Sequence, residues 1–456
     1  MSSSSTPPQA SARADYRQLL ALASPIAAGS AITTAARLTD MAMMGHSSVK
    51  GLAGVAAGMA VTSFFASIVV AAASGQQILA ARRFGADKPR AAASSLIQSL
   101  VFAGVVAAGC LTLMLLAPSR LVGMISHSEI VTAEGVRYLL ARAPALLLAV
   151  PTTVLIVTLN GAGETRWSFR VSAFGAIVNV ALDYPLIFGL GPIPAMGALG
   201  NGLSSTIADA AGLLFLLSWL SRNGTLARLG LRRAGLRVRD LRLVAKLSIP
   251  AMTSMALDYL GSAVMLSVIG LLGATALATG RIAITILQFF FMITASCGTA
   301  CQLLIGRVWG AHDHGSISRL RRRMIELVTP MMVAASIPLW FWPAEVTRLF
   351  SGFSTVVASS AGPLRVLAVG VPVMVLAYAN VATLRAIGRV RDDMLSNIVS
   401  IWLVQLPVAY LCGVRGHRGL TGALLGVVAY WTTRALITTL MLPEAAEQPV
   451  QAPVPI

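Results

Sequence analysis

Residues Thr33–Gly45 read TTAARLTDMAMMG and place a single acid, Asp40, near the end of an apolar run that begins about Leu19 and contains Pro25. Ala, Ile, Leu, Met and Thr make up most of that run, and Arg37 is its only base. Ionisable side chains are expensive inside a bilayer, so an acid within a spanning helix faces a bundle interior or a water-filled cavity and marks a functional site. At a helix end the same acid would be a solvated loop residue. The stretch alone supports either reading, and the rest of the chain decides.

The run has company. Of 456 residues, 56% are hydrophobic and only 11% charged, with mean hydropathy +0.78, whereas soluble domains are about a quarter charged. Twelve runs approach the roughly 20 residues a hydrocarbon core requires. They lie at 18–42, 51–80, 94–117, 138–160, 168–190, 196–221, 245–271, 275–304, 324–341, 364–384, 395–413 and 420–442. The fold class is therefore an all-α integral membrane protein with twelve transmembrane helices. Residues 1–17, Ser/Pro-rich, and 443–456, Pro-rich, read as disordered cytoplasmic tails. The first of them does not read as a secretory signal, because the apolar run behind it is too long and leads directly into further spans.

The net charge of +18 would suggest nucleic acid in a soluble protein. Here it segregates into alternate connections. Those after the even-numbered spans hold Arg82, Arg83, Lys88 and Arg90; Arg166 and Arg170; the arginines between Arg222 and Arg242; Arg307, Arg319 and Arg321–Arg323; and Arg385, Arg389 and Arg391. The other set holds little beyond Lys50, Arg120, Arg137, Arg348, Arg415 and Arg418. By the positive-inside rule both termini are cytoplasmic, and no nucleic-acid partner is needed. Abundant Ala, Arg and Gly suit a high-GC bacterial genome, hence a bacterial plasma membrane. The longest basic connection, 222–244, is a cytoplasmic linker that reads as an amphipathic interfacial helix or a plain basic spacer.

The linker separates two halves that repeat. Pro25 and Pro250 stand 225 residues apart (250 − 25), and the same offset pairs Gly45 with Gly270, Gln77 with Gln302, Arg82 with Arg307, Gly163 with Gly388 and Arg166 with Arg391. Each half, 18–221 and 245–442, spans six times, so the repeats share one topology and are related by an axis along the membrane normal.

Cys110, Cys297, Cys301 and Cys412 all fall in apolar runs. No His or third Cys completes a metal set around the 297/301 pair, which leaves packing roles. The five histidines fall in connections, so no catalytic set lies within the spans and the chain does not read as an enzyme.

These features resemble the multidrug and toxin extrusion (MATE) family of secondary transporters. In the first half the likeness rests on LASPI at Leu22–Ile26, DMAMMGH at Asp40–His46, GLAG at Gly51–Gly54 and QQILAARRFGAD at Gln76–Asp87. It continues with LNGAGETR at Leu159–Arg166, NVALDYPLIFG at Asn179–Gly189 and GALGNGLSS at Gly197–Ser205. LSIP at Leu247–Pro250 and QLLIGRVWGAHD at Gln302–Asp313 recur in the second half. The resemblance implies two pseudo-symmetric six-helix bundles in a V. It also implies export of small organic cations, drugs or natural products in exchange for H⁺ or Na⁺, by a monomer without ATP or cofactor. No Walker-type glycine loop is present, which agrees.

The resemblance assigns the cation-coupling site to Asp40, to Asn179 and Asp183 at i and i+4 on span five, to Ser205 on span six and to Tyr138 at the start of span four. The chemistry holds independently: two carboxylates in a low-dielectric cavity repel, and a shared proton, or a Na⁺ among Asn and Ser oxygens, neutralises them. Pro25 and Pro250 each remove a helix hydrogen bond and are natural hinges. In the second half Asp258, eight residues after Pro250, matches an essential family Glu. The usual second acid on span ten is missing, because Val371–Arg385 holds only Tyr378 and Asn380. Arg281 on span eight is a partner for Asp258, and a working ion site is the other reading. Arg37, three residues before Asp40, either pairs with it and opposes proton uptake, snorkels, or meets an anionic substrate. Asp209 on span six is a further acid. A lipid-linked oligosaccharide flippase of the same superfamily is the alternative function, toward which Arg37 and Arg281 lean and the buried acids do not.

Overall fold

The computed structural model describes residues 8–126, 128–223 and 237–442. It is helical throughout, with no strand among the described residues beyond a single Leu190–Ile193 bridge. Among the described residues eleven helices are long and apolar enough to span a membrane, and a bent pair counted as one span makes twelve. That pair is α6 (Glu129–Arg142) and α7 (Ala145–Gly161), which meet at 46°. The apolar run 138–160 reads as one span, whereas the structure adds Glu129–Arg142 to it and bends it. Pro144 at the break lacks the N–H that would continue the ladder, and the chain bends there. Tyr138 accordingly lies within α6 rather than at the start of a span.

The compact units are not the halves of the sequence. One comprises residues 25–252, the other residues 1–24 with 253–456. The divisions fall beside Pro25, inside α1 (Pro8–Ser47), and close to Pro250, inside α10 (Val238–Gly270). The first turns of α1 join the core of residues 253–456 through Leu19, Leu22 and Ala23. The first turns of α10 pack in the other unit, where Ser248 bonds the backbone at Ala72 and Gly75. Residues 8–17 are helical, a correction to the disordered tail. Asp15 lies 3.4 Å from Arg319, and the Tyr16 hydroxyl donates to Glu326 at 2.8 Å, partners that no local composition announces. Residues 1–7, most of the linker (224–236), His127 and the tail 443–456 lie outside the described residues.

Within residues 25–252, α2 (Val49–Ala72) packs on α6, as does the short α5 (Pro118–Gly123), α6 packs on α9 (Ala198–Arg222), and α9 on α8 (Arg166–Phe188); α3 (Ser74–Gly85) and α4 (Pro89–Leu116) pack on α7. Small residues set the spacing, as at many membrane helix contacts. A Cβ on Gly58 would stand 2.6 Å from the Gly135 carbonyl oxygen, and one on Gly202 would stand 2.7 Å from Ala141 Cβ. Both contacts border Tyr138, so glycines bring the site's walls together.

In the other unit α11 (Ala274–Gly310), α12 (Gly315–Phe341), α15 (Ala361–Ala386) and α17 (Gly419–Met441) surround a continuous apolar core. Between α12 and α15 lie two short helices, α13 (Pro343–Arg348) and α14 (Ser354–Ala358). The span α16 (Val390–Arg415) has widened, π-type turns at Val399–Gln405 and Ala409–Arg415, on either side of Pro407. Such turns re-satisfy a ladder that proline interrupts.

Candidate functional site

The first helix, α8 and α9 bring Asp40, Asn179, Asp183 and Ser205 together. Asp40 and Asp183 are 3% and 0% exposed, deep enough that an unbalanced charge on either would be very costly. The Asp40 carboxyl faces that of Asp183 and the Ser205 hydroxyl. Asn179, one turn before Asp183, donates from Nδ2 to Asp183 Oδ1 and to Ser205 Oγ, both at 3.4 Å. Tyr138 is buried beside them, under the field of Asp40 and Arg142.

Ser204, which sequence reasoning passed over for its neighbour, donates directly to Asp183 Oδ1. Adjacent serines point to different faces of a helix, and only the packing shows which one meets the acid. Asn201, a turn earlier on α9, is fully buried with neither end of its amide satisfied. Asp40 Oδ1 and Asp183 Oδ2 are likewise buried without a donor. Buried polar atoms are nearly always paired, which sets this cluster of unpartnered atoms apart among the described residues.

Arg142, at the end of α6, also went unsingled. Its Nη1 donates to Asp209 Oδ2 at 2.8 Å, and its charge reaches Asp40. Arg37 is exposed and forms no ion pair with Asp40 among the described residues. Asp40 and Asp209 thus share one arginine, Arg142.

The unit of residues 253–456 holds a different cluster. Asp258 accepts from Asn397 Nδ2 at 2.6 Å. The expected Arg281 partner is exposed and makes no ion pair among the described residues. The buried base is instead Arg434 on α17, 5% exposed, which donates to Asn397 Oδ1 at 2.6 Å, to Asp393 Oδ1 at 2.8 Å and to the Tyr430 hydroxyl. Arg385 completes the set, donating to Asp393 Oδ2 at 2.6 Å. A lone arginine in the run 420–442 was the available signal for Arg434, by the same reasoning that singled out Asp40. No group of three or more metal-ligating side chains occurs among the described residues.

A family model described as MatE matches residues 25–185 and 250–411. The chain belongs to the MatE family. The two matched stretches begin at Pro25 and Pro250, so the 225-residue repeat is a repeat of the family unit. Similar relatives include the "Probable multidrug resistance protein NorM" of Thermotoga maritima, 24% identical over 419 residues, 91% of this chain and 89% of the relative. The protein of the same name from Caulobacter vibrioides is 26% identical over 431 residues, 91% of this chain and 88% of that one. Among solved structures, a MATE protein in the straight conformation superposes with TM-score 0.86 at 19% identity, covering 94% of this chain and 95% of that one. The Vibrio cholerae MATE transporter VcmN gives 0.86 at 18%, covering 94% and 97%. These structures share the fold of this MatE protein, a multi-pass membrane transporter and not an enzyme.

Proposed function

We propose that this MatE transporter exports small organic compounds, cationic or amphiphilic, in exchange for H⁺ or Na⁺ bound between Asp40 and Asp183. The observation that carries the reading is the pair of buried oxygens, Asp40 Oδ1 and Asp183 Oδ2, that no donor among the described residues reaches. A proton or a Na⁺ supplies what they lack, with the Asn179, Ser204 and Ser205 side chains at hand. Loading the pair cancels a repulsion, and unloading restores it, so ion occupancy biases the packing of α1 against α8 and α9. The NorM relatives, named as probable multidrug resistance proteins, support drug-like cargo. Two positions support Pro25 and Pro250 as hinges: each lies inside a helix, at or near a division between compact units. The loop-charge asymmetry supports cytoplasmic termini in a bacterial plasma membrane, and the protein acts as a monomer.

The test is efflux of a fluorescent cationic dye in energised everted vesicles, comparing wild type with Asp40→Asn and Asp183→Asn under a pH gradient and, separately, a Na⁺ gradient. Movement driven by one gradient and abolished by either substitution is the expected result and names the ion. Gradient-driven movement that survives both substitutions would sink the site.

A further inference from the structure

The two units differ in how their buried charges balance. In residues 25–252 the acids outnumber the bases around the site. In the other unit Arg385 and Arg434 both pair with Asp393, and Asp258 accepts from Asn397, which Arg434 holds, so two acids stand near two bases among the described residues. Asn397 links the set. Its Oδ1 accepts from Arg434 at 2.6 Å and from the Tyr430 hydroxyl at 2.8 Å, which orients the amide so that Nδ2 donates to Asp258 at 2.6 Å and to Ser254 at 2.8 Å. Asp393 is 1% exposed and bonded through both oxygens to the two guanidinium groups. Unlike Asp40 and Asp183, neither Asp258 nor Asp393 has a buried oxygen without a partner. Tyr378 of α15 and Tyr430 of α17 are the remaining titratable groups facing the cluster.

We propose that Arg434 is a resident counter-ion: its tethered guanidinium takes the position a mobile cation would hold in residues 253–456, so this unit binds no coupling ion. Arg434 thereby fixes the ion stoichiometry at what Asp40 and Asp183 alone can carry. The inference rests on the reading that those two acids house the coupling ion. The physical cause is the expense of a buried charge without its opposite. Removing the guanidinium leaves two buried acids facing one arginine, which only a proton or a Na⁺ can rebalance. Asp258 is the acid that would take the ion, since Asp393 keeps Arg385.

The test measures ion binding rather than transport, so that its failure is distinct from failure of the coupling site. Purified Asp40→Asn/Asp183→Asn protein is assayed for bound ²²Na⁺ and for proton uptake, with and without Arg434→Met. The expected result is no saturable site in the parent and a gain of about one ion per molecule on loss of the guanidinium, the deficit that burial makes costly. The added site should vanish when Asp258→Asn is combined with Arg434→Met. Folded Arg434→Met protein with no new ion site overturns the proposal. Should Arg434→Met not fold, Asp258→Asn in the parent decides. Unchanged ion binding is expected, and loss of a bound ion overturns the proposal.

Discussion

The Arg142 guanidinium bridges from the end of α6 to Asp209 on α9 at 2.8 Å while its charge reaches Asp40. Asp209 therefore competes with Asp40 for one positive charge. In Asp209→Asn the guanidinium is released toward Asp40, where it stabilises the carboxylate and opposes proton binding. If the coupling ion is H⁺, this variant needs a more acidic loading side to reach half-maximal rate, by up to about one pH unit for a single partly exposed charge. Initial rates against the pH of that side give the shift. A profile that stays put or moves alkaline would refute the competition.

Ser204 gives Asp183 its hydroxyl donor, whereas Ser205 faces Asp40 and accepts from Asn179 Nδ2 at 3.4 Å. If the coupling ion is H⁺, Ser204→Ala removes a donor that favours the ionised carboxylate and should strengthen apparent H⁺ affinity by about tenfold, the worth of roughly 1.4 kcal/mol for one bond to a charged group, with the limiting rate largely kept. Ser205→Ala should change it less. Rates measured over a range of ion concentrations separate the two, and equal or reversed effects would place the ion nearer Ser205.

Close helix packing around Tyr138 is testable by stability alone. Gly58→Ala and Gly202→Ala push a methyl against backbone and side-chain atoms at 2.6–2.9 Å, and each should cost about 1–3 kcal/mol. Gly104→Ala, with nothing within 4 Å, serves as the control and should be neutral or better. Thermal unfolding in detergent reads all three. A Gly202→Ala protein as stable as the control would mean α6 and α9 can part without loss.

The family, the spans, the repeat and the buried acids were legible because each rests on composition, spacing or a motif. Asp40 stood out as an acid in an apolar run, and Asn179 with Asp183 as an i, i+4 pair. What escaped was set by packing between distant segments. Which of Ser204 and Ser205 meets Asp183 depends on the rotation of α9. Arg281 and Arg434 are both single arginines in apolar runs, yet one is exposed and the other is buried against Asp393 and Asn397. The repeat carried more than was read from it. Asp15 and Asp240 keep its 225-residue offset, as do Ser94 and Arg319, and the structure pairs Asp15 with Arg319 and Asp240 with Ser94. Asp15, Asp240 and Arg319 lie in polar segments that a search for spans discards, and Ser94 is the first residue of its run.

The first turns of α10 yield the last prediction. Between α2 and α3 the helix breaks at Ala73, and Ser248, two residues before Pro250, serves both sides of the break. Its fully buried hydroxyl donates to the Ala72 carbonyl at 2.8 Å and accepts from the Gly75 N–H at 3.1 Å. Nearby, Asp240 accepts from Ser94 at 3.1 Å and lies 3.4 Å from Arg83. Ser248→Ala removes both bonds at a site water does not reach, so it should destabilise by about 1–3 kcal/mol. Asp240→Asn, only part-buried, should cost less. If these bonds hold the first turns of α10 to residues 25–252, hydrogen exchange in Ser248→Ala should accelerate at 72–75 and 244–250 while α15 and α17 stay protected. Uniform acceleration across the chain would show that the loss is global and that Ser248 anchors no particular segment.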